Sequence, residues 1–288
     1  MRHLPLRWLL PALLLGLSCA ATARDAGEPP TELVFGSVAM DIPAAMLRRL
    51  SPVTEYLSMA LETPVSLRLS PNMADAIREV SEGRSDLAYL TPVAYVRARA
   101  QGRVEPLVKT VTGGEDYFRL VIVVADDSPM TSVQELAGKR FAFGDRAALL
   151  QRATVVGAGM PLEALGGYHF LGHYDNIVRG VMNGDFDAGI LKDTTAMRWE
   201  GRGIRVLHAS PPLPPYVIAT RRGLDPEVRA RLRDALLVAR PDDPVSGPAL
   251  RALDPGYDGF TPADDTDYDV IRELIAPFSP TGRATAKP

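Results

Sequence analysis

Two stretches read alike: Gly83-Arg84-Ser85-Asp86-Leu87-Ala88-Tyr89-Leu90-Thr91 and Gly184-Asp185-Phe186-Asp187-Ala188-Gly189-Ile190-Leu191-Lys192. In each, a glycine that can close a helix stands three residues before an aspartate, and a short apolar run ends on a polar residue. Each is preceded by a helical pattern: Met73, Ala76, Ile77 and Val80 in the first, Ile177, Val178, Val181 and Met182 in the second. The copies lie 101 residues apart (187 − 86) and predict two similar α/β units. Open parallel sheets bind ligands at the carboxyl ends of their strands. Two units facing each other would place Thr91 and the Lys192-Asp193-Thr194-Thr195 run on opposite walls of a cleft.

Outward from these copies the chain alternates between periods. Leu33–Val38 reads as a buried strand, and 65–69 as a half-buried one. Between them Met46, Leu47, Leu50, Val53, Leu57 and Leu61 keep helical spacing, with Pro52 expected in a first turn or at a break. Asn72 caps the next helix, and Thr91-Pro92 reads as N-cap plus first helical residue. Strands at 105–111 and 118–125 flank the turn Gly113-Gly114, and Ser132 with Glu135 forms a capping box. A strand at 140–144 is followed by a helix from about Ala147. After a strand at 204–208, Ser210-Pro211-Pro212-Leu213-Pro214-Pro215 must be a stiff extended crossing. Strand 216–220, a helix with Val228, Leu232, Ala235 and Leu236 inward, and a last helix near 268–276 complete the chain, with a frayed end beyond Pro280. This alternation predicts an α/β architecture with mostly parallel sheets.

Composition narrows the function. The 288 residues carry 32 Lys+Arg against 35 Asp+Glu, a formal charge of −3, with 46% hydrophobic residues. That excludes a disordered chain and argues against nucleic acid, which calls for a basic face. One cysteine allows no internal disulfide, and no Cys/His cluster offers a zinc site. Arg2 and Arg7, an apolar stretch at 8–17, and Ala21-Thr22-Ala23 have the build of a secretory signal (residues 1–23) cleaved after Ala23. A membrane anchor and lipid attachment at Cys19 are the alternatives. Cleavage after Ala23 leaves 30 basic and 35 acidic residues, a charge of 30 − 35 = −5, and no cysteine. Export without disulfides fits a bacterial periplasm.

Enzyme signatures are missing. No G-x-S-x-G elbow, phosphate-binding G-x-x-x-x-G-K or dinucleotide G-x-G-x-x-G occurs. His169 and His173 stand four apart, but Gly166-Gly167 and Gly172 suggest a strand and loop, and neither metal nor cofactor is expected. His173 with Asp175 or Asp193 could serve as base and orienter in a secreted hydrolase, without an activated nucleophile to complete it. Tyr89 and Tyr95 flank a helix start, where either could pack or line a site. Asp145-Arg146 follows a strand and precedes a helix, where a capping aspartate and a surface arginine are the plain alternative. Lys192-Asp193 ends a strand, either in the cleft or as a solvated pair, and His208 reads as structural.

Taken in order, several motifs resemble the phosphonate-type substrate-binding proteins of bacterial ABC transporters, over about residues 33–275. They are Phe35-Gly36, Asp86 to Thr91 with Pro92, Asp127-Ser128-Pro129, Leu136-Ala137-Gly138-Lys139, Gly172-His173-Tyr174-Asp175-Asn176, Asp187-Ala188-Gly189 with Lys192-Asp193-Thr194, Pro214-Pro215-Tyr216, and Gly259-Phe260-Thr261-Pro262 with Asp267-Tyr268-Asp269. The resemblance implies a two-lobed periplasmic-binding-protein fold of type II-like architecture, with two parallel-type sheets flanked by helices and a cleft between lobes. Lobe one would be 24–115 plus 211–288 and lobe two 116–210, hinged near 105–125 and 210–215. It also implies a monomeric protein, not an enzyme, that closes on phosphonate, phosphite, phosphate or a related oxyanion for an ABC permease, or alternatively feeds a membrane sensor. Family ligands are held by Ser/Thr hydroxyls and amides at a helix N-terminus, a histidine carried over as His173, and a lobe-one region carried over as Tyr89 to Thr91. The candidate ligand-binding set is Tyr89, Thr91, Asp145, Arg146, His173, Tyr174, Lys192 and Asp193, with Met40, Tyr95 and Tyr216 as secondary candidates. One departure stands out. Gly144-Asp145-Arg146-Ala147-Ala148 replaces the family's Ser/Thr-rich turn. Asp145 would repel a dianion where a helix dipole should attract it, unless Arg146 turns inward.

Overall fold

The computed structural model describes residues 31–38 and 43–279; the signal segment with Ala23, Cys19, Met40 and the end from Pro280 lie outside the described residues. In chain order the elements are β1 (Leu33–Val38), α1 (Pro43–Leu61), β2 (Val65–Ser70), α2 (Met73–Ser81), β3 (Leu87–Leu90), α3 (Pro92–Ala100), β4 (Val104–Thr112) and β5 (Leu120–Ala125). Next come β6 (Arg140–Phe143), α4 (Leu149–Gly157), β7 (Gly167–Phe170), α5 (Tyr174–Met182), β8 (Ala188–Lys192), α6 (Asp193–Trp199) and β9 (Ile204–Ala209). The chain ends with β10 (Val217–Arg221), α7 (Pro226–Val238), α8 (Gly247–Leu253), β11 (Tyr257–Pro262) and α9 (Asp269–Ile275).

Two sheets result, ordered β11-β4-β10-β3-β1-β2 and β7-β6-β8-β5-β9. Each holds a parallel core, β2-β1-β3 in one and β7-β6-β8 in the other. Around these cores the sheets are mixed, where the alternation of periods suggested mostly parallel pairing. β10 runs antiparallel to β3 and β4, β11 to β4, and β5 to β8 and β9. Topology supplies the reason. β5 and β10 are each entered from the other lobe, so each starts at the carboxyl edge of its core and runs back. The two crossings, 113–119 and 210–216, are joined where Phe118 and Leu213 exchange both backbone hydrogen bonds, at 2.9 and 2.8 Å.

The sequence echo is a structural repeat. Gly83 and Gly184 both close their helices at φ +75°, a left-handed conformation that only glycine adopts without strain. Asp86 then accepts the Val34 N–H at the start of β1 (2.9 Å), and Asp187 accepts the Arg140 N–H at the start of β6 (2.7 Å). Asn72 and Thr91 cap α2 and α3 as their positions predicted, accepting from Asp75 and Ala94. Pro52, by contrast, sits inside α1 without ending it. Beside it, Ser51 Oγ donates to the Leu47 carbonyl and Thr54 Oγ1 to Ser51's.

The core follows the strand alternation. Leu33, Phe35, Leu87 and Ile218 pack against Met46, Leu50, Val53 and Leu57 of α1. The opposite face, with Ala88 and Leu90, is continuous through Tyr268, Ile271 and Ile275 with Ile122, Phe141 and Phe143 of the second sheet. The C-terminal helix α9 therefore lies against both lobes: it packs on α3 and on α4, where Leu274 covers Gly157 so closely that a Cβ would come within 2.7 Å.

Candidate functional site

The carboxyl ends of the two parallel cores meet at the crossings. On the first sheet this edge carries Ser37, Thr91 and Tyr89, joined by Tyr216 before β10 and Tyr257 at the start of β11. Tyr89 and Tyr216 stack with centroids 4.8 Å apart, and the Tyr89 and Tyr257 hydroxyls lie 2.6 Å apart. Tyr174, the first residue of α5 in the second lobe, is near enough to Tyr216 that ionising one phenol disfavours ionising the other. Burial, reinforced by these neighbours, pushes the hydroxyls of Tyr89 and Tyr216 above the ordinary phenol range. Burial raises Tyr257 and Tyr174 as well, against opposing hydrogen bonds from Tyr89 and from Gln151. All four are therefore neutral hydroxyls at physiological pH. Ser37, 1% exposed, has no hydrogen-bond partner for its Oγ among the described residues.

The second lobe presents three strand ends. After β6, three amides of the 144–148 loop are held by nearby groups. Gly144 donates to Gln151 Oε1 at 2.8 Å, Ala147 to Asp145 Oδ1 at 2.7 Å, and Ala148 to the Asp145 carbonyl at 3.0 Å. Gln151, 4% exposed, also points Nε2 at the Tyr174 hydroxyl, 3.4 Å away. A Cβ on Gly144 would lie 2.9 Å from that Nε2 and would push the amide aside. Arg146 does not turn inward: its guanidinium lies over the Phe170 ring, 5.0 Å from the centroid. After β7, His173 is exposed and directly precedes α5. After β8, Lys192 lies over the Phe118 ring at 5.4 Å. Asp193 accepts the N–H groups of Arg119 (2.7 Å) and Thr194 (2.8 Å), and Arg119 Nη1 donates to the Ser210 carbonyl.

The structure thus brings Tyr89, Thr91, Tyr216, Asp145, His173, Tyr174, Lys192 and Asp193 to facing edges, with Arg146 on the same loop but resting on Phe170. Tyr95 does not join them. It is fully buried, 4.4 Å from Tyr268, with its hydroxyl donating to Asp265 at 2.6 Å. Helical geometry explains this, since four residues past Thr91 the side chain is one turn away from the strand ends. Among the described residues no hydrogen bond or ion pair joins His173 to Asp175 or Asp193; Asp175 faces Arg198 at 3.8 Å, and Asp193 is engaged by amides. No described group of three His, Cys, Asp or Glu side chains could hold a metal. Sequence reasoning missed Gln151, Tyr257 and Ser37. Gln151 had a signal, a polar residue inside the apolar pattern of Leu150 and Ala153, whereas Tyr257 arrives only through the antiparallel addition of β11. A cavity of about 980 Å³ lies elsewhere, between α3 and α9, where Arg99 and Arg272 converge on Asp265.

Two α/β lobes whose strand ends face each other across paired crossings define a periplasmic-type solute-binding protein. The chain matches the model of the ABC transporter phosphonate periplasmic substrate-binding proteins over residues 35–268, and it belongs to that family. Its relatives include the phosphate-import protein PhnD of Mycolicibacterium smegmatis, 23% identical over 91% of both chains. Among solved structures, XAC2383 of Xanthomonas citri bound to ATP is 25% identical, with a TM-score of 0.71, over 90% of this chain and 100% of that one. PhnD1 of Prochlorococcus marinus (MIT 9301) in complex with methylphosphonate is 19% identical, with a TM-score of 0.64, over 86% and 98%. The family resemblance drawn from the motifs is thereby shown, and with it a periplasmic substrate-binding component of an ABC transporter.

Proposed function

We propose that this protein captures a small oxyanion of the phosphonate, phosphite or phosphate type between its lobes and delivers it to an ABC permease without altering it. Tyr89, Thr91 and Tyr216 form one wall; Asp145, His173, Tyr174, Lys192 and Asp193 form the other, with Arg146 beside them on Phe170. The observation that carries this reading is the convergence of four neutral tyrosine hydroxyls from both lobes on the carboxyl ends of the two parallel cores. Hydroxyls offer an anion donors without the desolvation cost of buried cations. The crossings joined at Phe118 and Leu213 supply the two-strand hinge about which such lobes close. The mature protein acts as a monomer beginning after Ala23, which intact mass and light scattering of the periplasmic form would test.

The direct test is thermal unfolding with methylphosphonate, phosphite and phosphate. A ligand at 100 times its Kd stabilises the folded state by about 2.7 kcal/mol. No shift with any of the three would overturn the reading, as would turnover of a substrate that disappears in His173→Ala.

A further inference from the structure

We infer that the cavity between α3, α4 and α9 is a second ligand site, separate from the cleft, and that it takes a small amphipathic monoanion, an apolar body carrying one carboxylate.

Size and position come first. At about 980 Å³ the cavity lies at the upper end of the range for small-molecule sites. None of the cleft candidates lines it. One wall comes from α3, another from α9, and a third from Leu149, the first residue of α4. An occupant therefore touches a helix that follows the first sheet's β3 and one that follows the second sheet's β6.

The lining has two characters. Val96, Leu149, Ile275 and Phe278 offer apolar contact, the first and third buried and the other two half-buried. The charged groups are Arg97, Arg99 and Arg272 against Asp265 and Asp269. Arg272 pairs with both carboxylates, and Arg99 pairs with Asp265 and donates to the Val104 carbonyl. The Tyr95 hydroxyl donates to Asp265 as well. Arg97 has no hydrogen bond or ion pair among the described residues. Three guanidiniums against two carboxylates leave one positive charge uncompensated, and Arg97 carries it.

These two characters select the ligand. An apolar body gains free energy by covering the apolar side chains, and the planar fork of a guanidinium matches a carboxylate with two parallel donors. A cation would add to the excess charge. A second negative charge would face Asp265 and Asp269 with no further unpaired guanidinium to meet it.

Isothermal calorimetry of the full chain with octanoate, octanol and octyltrimethylammonium tests the assignment. Octanoate should bind saturably at one site per chain. The other two, with a similar body but no charge or the opposite charge, should bind at least about tenfold more weakly, the scale of a charged hydrogen bond. Arg97→Gln should weaken octanoate by a similar factor. Ala100→Phe, at an exposed position on the α3 wall, should fill the cavity and remove octanoate binding while the unfolding temperature stays near that of the parent. Overturning results are the absence of saturable octanoate binding, equal affinity for octanol, octanoate affinity unchanged in either variant, or competitive displacement of octanoate by methylphosphonate, which would put octanoate in the cleft. The octanoate measurements do not require that any oxyanion bind, so this inference and the oxyanion reading fail separately.

Discussion

Asp86 and Asp187 brace equivalent strands in the two lobes. Each carboxylate accepts an N–H at the start of the middle strand of its parallel core, and each backbone N–H returns a bond to the same residue's carbonyl, Val34 or Arg140, at 2.9 Å. The pair locks the helix-to-strand connection that places Thr91 and Lys192 at the facing edges. The lobes differ in how deeply the brace is buried. Asp86 has a side chain 2% exposed and is paired with Arg221 at 2.8 Å, whereas that of Asp187 is 32% exposed.

That difference sets the first prediction. Asp86→Ala takes the partner from Arg221 and from the Val34 N–H at an almost fully buried carboxylate, and should destabilise the protein by about 3–5 kcal/mol, the range for breaking a buried ion pair. Asp187→Ala should lose only about 1 kcal/mol, the net worth of an ordinary hydrogen bond. Urea unfolding of the two variants measures both. Equal losses would mean that the two braces do not differ as their burial implies.

Gln151 gives the second. Its amide ties the Gly144 N–H to the Tyr174 hydroxyl, so it sets the 144–148 loop against α5. Gln151→Leu keeps the volume but leaves the Gly144 N–H without a partner, at a cost of about 1–3 kcal/mol. Ligand affinity should fall by more than the stability change explains, because Tyr174 loses its orientation. Gln151→Glu keeps the acceptor for Gly144 and should retain more stability. Thermal unfolding and calorimetry on both variants check this.

How much of this was legible in the chain depends on the range of the interactions. Caps at Asn72 and Thr91, the glycines at 83 and 184, and the paired aspartates are local, so spacing alone revealed them and through them the repeat. The antiparallel strands β5 and β10 were not legible as such, because their direction is fixed by where the chain enters from the other lobe. The resting place of Arg146 was not legible for a related reason. Phe170 is remote in sequence and becomes a neighbour only because β7 pairs with β6. Tyr257 belongs to the tyrosine cluster through the same kind of long-range pairing, β11 onto β4.

The third prediction concerns the hinge. Lys109, 9% exposed, reaches Asp116 on the first crossing (2.9 Å) and Asp267 before α9 (3.1 Å). Burial works to lower its pKa, and the two carboxylates more than offset that, leaving it raised. Lys109→Met removes the tie between the crossing and the segment that carries α9 onto the second lobe. The expected outcome is a looser hinge, seen as a larger radius of gyration in ligand-free small-angle scattering and a slower approach to the ligand-bound state. An unchanged radius would assign Lys109 to fold stability alone.

The last prediction follows from Asp265, on which Tyr95, Arg99 and Arg272 converge. Partial burial tends to raise its pKa, but the Tyr95 hydroxyl and the Arg272 and Arg99 guanidiniums outweigh that and hold the carboxyl below its ordinary range. A carboxyl depressed in the folded state binds its proton more readily once unfolded. Its contribution is therefore complete above the unfolded value of about 3.9 and is lost as pH falls through the lower folded value. Unfolding temperature should accordingly drop between pH 5 and pH 3. Asp265→Asn should lower stability at pH 7 while making the acid drop shallower, because the group that changes its proton affinity is gone. The network joins α3 to the segment leading into α9, so the lost stability should appear first as weakened protection of amides in α9 during hydrogen exchange at pH 3 to 4. A variant with an acid slope as steep as that of the parent would place the acid sensitivity elsewhere, with Asp187 and Glu79, also held low by arginines, as the next groups to replace.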